Sequence, residues 1–316
     1  MRTGMFRVKH WPIADKQGSS GGLDRSSRGL NRASGHLNGA KTGLAAALAL
    51  IFGVALAGCS SPEEIAAKTG VAATASAAAT AGSATATATG ADGTAFEDNA
   101  DKNGGSREFA YKWPAQVSAI PALAARFTTE RGTILAEQKA EWIEAIAEFA
   151  GDNCVSCTSR GFSKEWEVVA DLPRYLSLSA DTYMYTGGAH GNSAFDTLVW
   201  DKDKGAAIAP TAMFRSEEDL QAALYAPWCK ALKAERNERL GEDYADDETF
   251  PCPDIAQLTL LLGSSNKKTF DRIGLIAAPY VAGSYAEGPY EATLPITPAV
   301  LAAVKPAYKS AFAPIK

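Results

Sequence analysis

Apolar and polar positions follow three regimes along the chain. Residues 43–58 form an apolar run without a charge. Residues 71–95 are almost entirely Ala, Thr, Ser and Gly, with no aromatic side chain. From Glu108 onward the apolar positions become periodic, and folded structure is expected there. Residues 108–113 alternate as a first strand, which Pro114 stops. Residues 128–150 read as a long helix. Leu135, Trp142, Ile146 and Phe149 recur at helical spacing, Ile143 and Ala147 lie beside them, and charges fill the other face. Gly151 is placed to cap this helix. Residues 164–172 and 174–185 alternate as two antiparallel strands around Pro173, residues 194–201 form another, and residues 202–205 form a turn.

A second unit repeats this plan. Ser216, followed by Glu217, Glu218 and Asp219, starts a helix with a cap and an acidic first turn. Leu220, Leu224, Trp228 and Leu232 share one face, and Pro227 should kink the helix. Residues 235–248 are highly charged and read as a solvated helix end and loop. Residues 258–262, 269–277 and 290–295 read as strands, and 298–304 as a short helix. The fold class is therefore α+β: two small units, each a long helix packed on an antiparallel sheet, forming one body. The units are expected at 108–197 and 205–303, with a tail at 304–316.

The apolar run changes the picture of the N-terminus. It has the length of a signal-peptide core, follows Lys41 and ends in Leu56-Ala57-Gly58-Cys59. Small residues before a cysteine are the pattern of a lipobox, so residues 1–58 are expected to be a lipoprotein signal region, with Cys59 lipidated. Ser60 after that cysteine favours the outer membrane, facing the periplasm. Residues 1–36 are too long for a signal n-region, which suggests a translation start further in. Residues 59–107 are expected to be a disordered tether, because Ala, Thr, Ser and Gly bury too little apolar surface to offset the entropy of ordering. About 45 flexible residues span ~35–40 Å.

Cleavage before Cys59 would remove eight of the 31 Lys and Arg and two of the 36 Asp and Glu, leaving 23 basic and 34 acidic side chains, a balance of −11. That balance argues against nucleic acid. It suits a basic partner or simple solubility.

Four cysteines remain after Cys59: Cys154, Cys157, Cys229 and Cys252. An exported protein can pair them in three ways. Cys154–Cys157 and Cys229–Cys252 are the favoured pairs. The second closes a loop of about 24 residues, worth about 3 kcal/mol. A redox role for Cys154-Val155-Ser156-Cys157 is disfavoured, since the pair follows a helix C-terminus, where the dipole does not lower a thiol pKa.

The most informative run is Tyr183-Met184-Tyr185-Thr186-Gly187-Gly188-Ala189-His190-Gly191-Asn192. Tyr183 and Tyr185 share one strand face. Gly187 and Gly188 allow positive φ and a sharp exit from the sheet. Asn192 can bond the turn's own backbone. Three readings of His190 stay open: a side chain that satisfies backbone carbonyls, a ligand contact, or an acid/base catalyst that needs a partner not evident nearby. His10 and His36 precede Cys59, so His190 is the only histidine left after it. No metal site, cofactor motif, nucleophile elbow or P-loop is expected.

The Tyr-x-Tyr-Thr-Gly-Gly-Ala-His-Gly run resembles the exported two-part domain of unknown function shared by bacterial peptidoglycan deacetylases, in their N-terminal regions, and by lysozyme-sensing anti-sigma-factor ectodomains. A second match lies at Ile276-Ala277-Ala278-Pro279-Tyr280-Val281-Ala282-Gly283 followed by Glu291–Ile296. Together they cover about residues 108–303. The resemblance implies a stand-alone lipoprotein module that recognises a cell-wall-related ligand, either a peptidoglycan fragment or a wall-acting protein such as a lysozyme. Tyr185, Gly187, Gly188, His190, Asn192, Pro279, Tyr280, Tyr285 and Tyr290 would form its binding surface, the last three tyrosines being expected to be exposed among Gly and Pro. The alternatives are a hydrolase using His190 and a structural envelope lipoprotein without a ligand.

Overall fold

The computed structural model describes residues 88–90, 93–241 and 249–314. The expected signal region, Cys59, most of the tether and much of the acidic loop before Thr249 lie outside the described residues. The described residues all belong to one compact unit.

The first half is a sheet of eight strands with a helix on one face. Its strands are β1 (Ala88–Gly90), β2 (Gly93–Glu97), β3 (Ala100–Lys102), β4 (Gly105–Trp113), β5 (Arg160–Asp171), β6 (Tyr175–Tyr185), β7 (Asn192–Asp201) and β8 (Ala206–Ile208). Their order is β1-β2-β4-β5-β6-β7-β8, with β3 paired to β4. Two expectations are corrected here. Ordered structure starts well before Glu108, because the end of the supposed tether forms hairpin strands: Phe96 is buried and β2 pairs with β4. The sheet is also not wholly antiparallel, since β4 and β5 run parallel. A parallel pair needs a crossover, and three helices supply it: α1 (Ala115–Ser118), α2 (Pro121–Glu148) and α3 (Val155–Thr158).

Helix α2 starts seven residues earlier than the periodicity suggests, because Pro121 occupies its first turn, where a missing N–H costs nothing. Leu123, Phe127, Trp142 and Ile146 face the sheet, whereas Ile143 and Ala147 are exposed. The core beneath it is aromatic: Phe127 stacks on Trp166 at 4.6 Å and Phe109 on Phe162 at 5.1 Å. Two of its buried cations are paired. Arg107 bonds Asp98 and Gln138, and Lys164 reaches Glu130 at 2.6 Å and Asp196 at 2.9 Å.

The second half holds α4 (Glu217–Leu240), a sheet ordered β11-β10-β9 from β9 (Thr259–Gly263), β10 (Arg272–Ala277) and β11 (Tyr290–Pro295), and α5 (Pro298–Ala303). Ser216 caps α4 by accepting from the Asp219 N–H at 3.1 Å. Leu220, Leu224, Trp228 and Leu232 are buried as their spacing predicts, and the helix runs on through Pro227. Its charged end is not all solvated: Arg236 is buried and donates to the carbonyls of Phe250 and Ala282. Residues 304–314 are not a tail either. Phe312 packs into the core, and Ala313 N–H donates to Phe270 O at 3.0 Å. The fold is α+β, as expected.

Both cysteine pairs form as favoured, Cys154–Cys157 and Cys229–Cys252. One detail differs. Cys154 follows α2 but also opens the one-turn helix α3.

Candidate functional site

β6 ends at Tyr185 and β7 begins at Asn192, so the glycine-rich run is the turn between two neighbouring strands. Gly187 and Gly188 have φ of 108° and 93°, which side-chain-bearing residues rarely adopt. A Cβ on Gly187 would also lie 3.0 Å from the Ser156 carbonyl, so the turn rests on the disulfide-closed loop. Tyr185 Oη donates to Gly188 O at 2.8 Å and holds the turn closed. Asn192 Oδ1 accepts from the Ser193 N–H at 3.0 Å.

This turn puts His190 on the surface, where a loop of the second half meets it. The His190 and Tyr285 rings stack, with centroids 3.9 Å apart and planes 19° apart. Tyr280 Oη lies 3.4 Å from His190 Nε2, and the Tyr280 and Tyr285 rings are 5.8 Å apart. His190 Nδ1 lies 2.8 Å from Gly191 O, which can only accept, so Nδ1 donates there, and in the neutral ring Nε2 accepts from the phenol. Tyr280 is 52% exposed and has φ of 71°, a left-handed conformation for a bulky residue. Such strain persists where the surroundings dictate it, commonly at binding sites. Here the Tyr280 N–H donates to Gly283 O at 3.1 Å and closes the tight turn.

The site thus gathers His190 and Tyr280 from the two sequence motifs and Tyr285 from just beyond the second, with Tyr185, Gly187, Gly188 and Asn192 shaping the turn beneath. Two expected surface residues do not belong to it. Pro279 is buried. Tyr290 is only 1% exposed and donates to Glu287 Oε2 at 2.5 Å. Burial, then Glu287, pushes the Tyr290 hydroxyl up to about 12. Its position at the start of β11 turns it toward the core, which its Gly and Pro neighbours do not reveal. Gly283 leaves room for this pair, since a Cβ there would meet Glu287 Oε2 at 2.5 Å and the Tyr290 ring at 2.8 Å.

The hydrogen-bond partners of His190 are a carbonyl and a phenol. Neither is a carboxylate or a serine hydroxyl. No group of three or more His, Cys, Asp or Glu among the described residues could hold a metal ion.

Sequence reading missed one electrostatic feature. Asp181 on β6 is pushed up to about 7 by burial first, then by Glu291, Glu167 and Glu165. Burial also raises Glu291, on β11. Asp181 sits on the same strand face as Tyr183 and Tyr185, so its parity already marked it as turned toward the second half. What faces it there was not legible.

Residues 102–193 match the family model described as Deacetylase PdaC. That stretch runs from the end of β3 to the start of β7 and contains the whole turn. The chain is also similar to the crystal structure of a DUF3298 family protein from Pseudomonas aeruginosa PAO1, with 16% identity over 71% of this chain and 96% of that one and a TM-score of 0.46. A member of the same family from Bacteroides fragilis NCTC 9343 matches with 18% identity over 65% of this chain and 89% of that one, at a TM-score of 0.44. No curated protein matches the chain.

Proposed function

We propose that this chain is a lipid-anchored envelope protein that binds a cell-wall-related ligand through His190, Tyr280 and Tyr285. The anchor would be Cys59, in the outer membrane, with the folded part facing the periplasm. The ligand would be a peptidoglycan fragment or a wall-acting protein such as a lysozyme. One observation carries the reading: an exposed tyrosine is held in a left-handed backbone with its hydroxyl on the surface histidine. Stacked rings with polar edges suit both a sugar face and a protein hot spot.

The test is co-sedimentation of the full chain with purified peptidoglycan, alongside titration with a lysozyme. The wild-type chain should bind one of them, and Tyr280→Ala and His190→Ala should each weaken that binding at least tenfold. Equal recovery of all three proteins, or none, would leave a structural lipoprotein instead. The anchor is tested by metabolic labelling with radioactive palmitate, which Cys59→Ser should abolish.

A further inference from the structure

Tyr280 and Tyr285 sit on the loop of residues 278–289 that joins β10 to β11. His190 comes from the other half. The stack of His190 on Tyr285 therefore depends on where this loop is held. Several of the loop's own bonds are short-range. The Tyr280 N–H donates to Gly283 O, the Glu287 N–H to Ser284 O and the Gly288 N–H to Tyr285 O. These bonds shape two turns, but they do not fix either turn against the rest of the protein.

Helix α4 supplies that hold. Arg236 and Arg239 lie one turn apart on the same face of the helix. Arg236 is buried, and its Nη2 donates to Ala282 O at 2.5 Å and to Phe250 O at 2.6 Å. Arg239 is exposed. Its Nη1 donates to Pro289 O at 2.9 Å and Glu287 O at 3.1 Å, and its Nε to Glu235 Oε1 at 2.7 Å. Its guanidinium carbon lies 4.4 Å from the centre of the Tyr290 ring. The held carbonyls bracket Tyr285, with Ala282 before it and Glu287 and Pro289 after it. A planar fork of donors makes these bonds together while lying over a ring, which the point charge of a lysine does not reproduce. Binding residues on a loop need such support from a rigid element.

We propose that Arg239 is a positioning residue for the His190 site: it holds residues 287–289 so that Tyr285 stays stacked on His190, and it thereby sets the affinity of the ligand bound there. The positioning stands on the geometry alone, and the effect on affinity rests on the proposed function. Arg236 anchors the same loop from within the core, where its removal would leave buried carbonyls unpaired. The exposed Arg239 therefore carries the test.

The readout is His190 itself. In a proton–carbon NMR spectrum of the full chain, the His190 Cε1–H signal is identified by its loss in His190→Ala. Shielding by the stacked Tyr285 ring should place it upfield of its position in Tyr285→Ala. Arg239→Gln should move the signal most of the way to that position, and Arg239→Lys should move it part of the way. Global destabilisation alone would leave the native signal in place below the unfolding midpoint. An unmoved His190 signal in both Arg239 variants would overturn the proposal. If Arg239→Gln does not fold, Arg239→Lys decides alone. Where the wild-type chain binds peptidoglycan or lysozyme, Arg239→Gln should weaken that binding about fivefold, the scale of one net hydrogen bond. Undiminished binding by a variant whose His190 signal has moved would overturn the effect on affinity. A signal that moves in a chain that binds neither peptidoglycan nor lysozyme upholds the positioning and removes the wall-ligand reading.

Discussion

The Tyr183 ring fills the space in front of Gly191: a Cβ on Gly191 would lie 2.4 Å from its Cζ and hydroxyl. The last glycine of the turn is thus required by close approach, whereas Gly187 and Gly188 are required by positive φ. Gly191→Ala should cost about 1–2 kcal/mol, since the end of the tyrosine ring must swing away. Urea denaturation checks this. Combining it with Tyr183→Ala should cost less than the sum of the two single changes, because the clash is gone.

Tyr280 offers a separation of stability from binding. Replacing it with Gly relieves a left-handed backbone, while Ala keeps the strain. Tyr280→Gly should therefore be about 1 kcal/mol more stable than Tyr280→Ala by thermal melting. Both should lose wall-ligand binding, because both lose the phenol that meets His190.

Asp181 should give the protein a pH-dependent stability. Its folded-state pKa, about 7, lies above the ordinary 3.8. The contribution is therefore full below about pH 4 and is lost as pH rises toward 7, because the unfolded chain releases the proton first. Asp181→Asn should flatten the curve over that window and raise stability at pH 8 by about 1–2 kcal/mol, after allowance for solvent screening. Chemical denaturation at pH 4.5 and 8 tests it, and a variant with the same slope as wild type would count against the assignment.

The two disulfides should differ in kind. Replacing Cys229 and Cys252 with Ser should cost about 2–4 kcal/mol of global stability, because the bond ties α4 to the segment before β9. Replacing Cys154 and Cys157 closes no long loop and should cost less globally. It should instead speed amide exchange at residues 186–191, since the Ser156 carbonyl underlies Gly187. Hydrogen exchange with mass spectrometry reads both.

Most elements were legible because their signals are local. Alternation marked β6 and β11, the face of Leu220, Leu224, Trp228 and Leu232 marked α4, and Ser216 marked its start. The boundaries that escaped have physical reasons. Residues 88–102 read as tether because their composition is poor in apolar groups, yet Phe96 and the β4 ladder hold them. The start of α2 was hidden because Pro121 reads as a breaker unless it is seen at a first turn.

The sequence by itself determined the α+β class, the glycine-rich turn and the two motifs, since each depends on residues close together or on intrinsic backbone preference; it favoured the cysteine pairs without fixing them. Tertiary structure alone decided that β4 and β5 run parallel, that Tyr290 is core and Tyr280 surface, and that His190 meets a phenol 90 residues away. Periodicity tells which face of a strand turns inward. It does not tell which distant side chain that face meets, because packing between halves is set by shape and burial over the whole body.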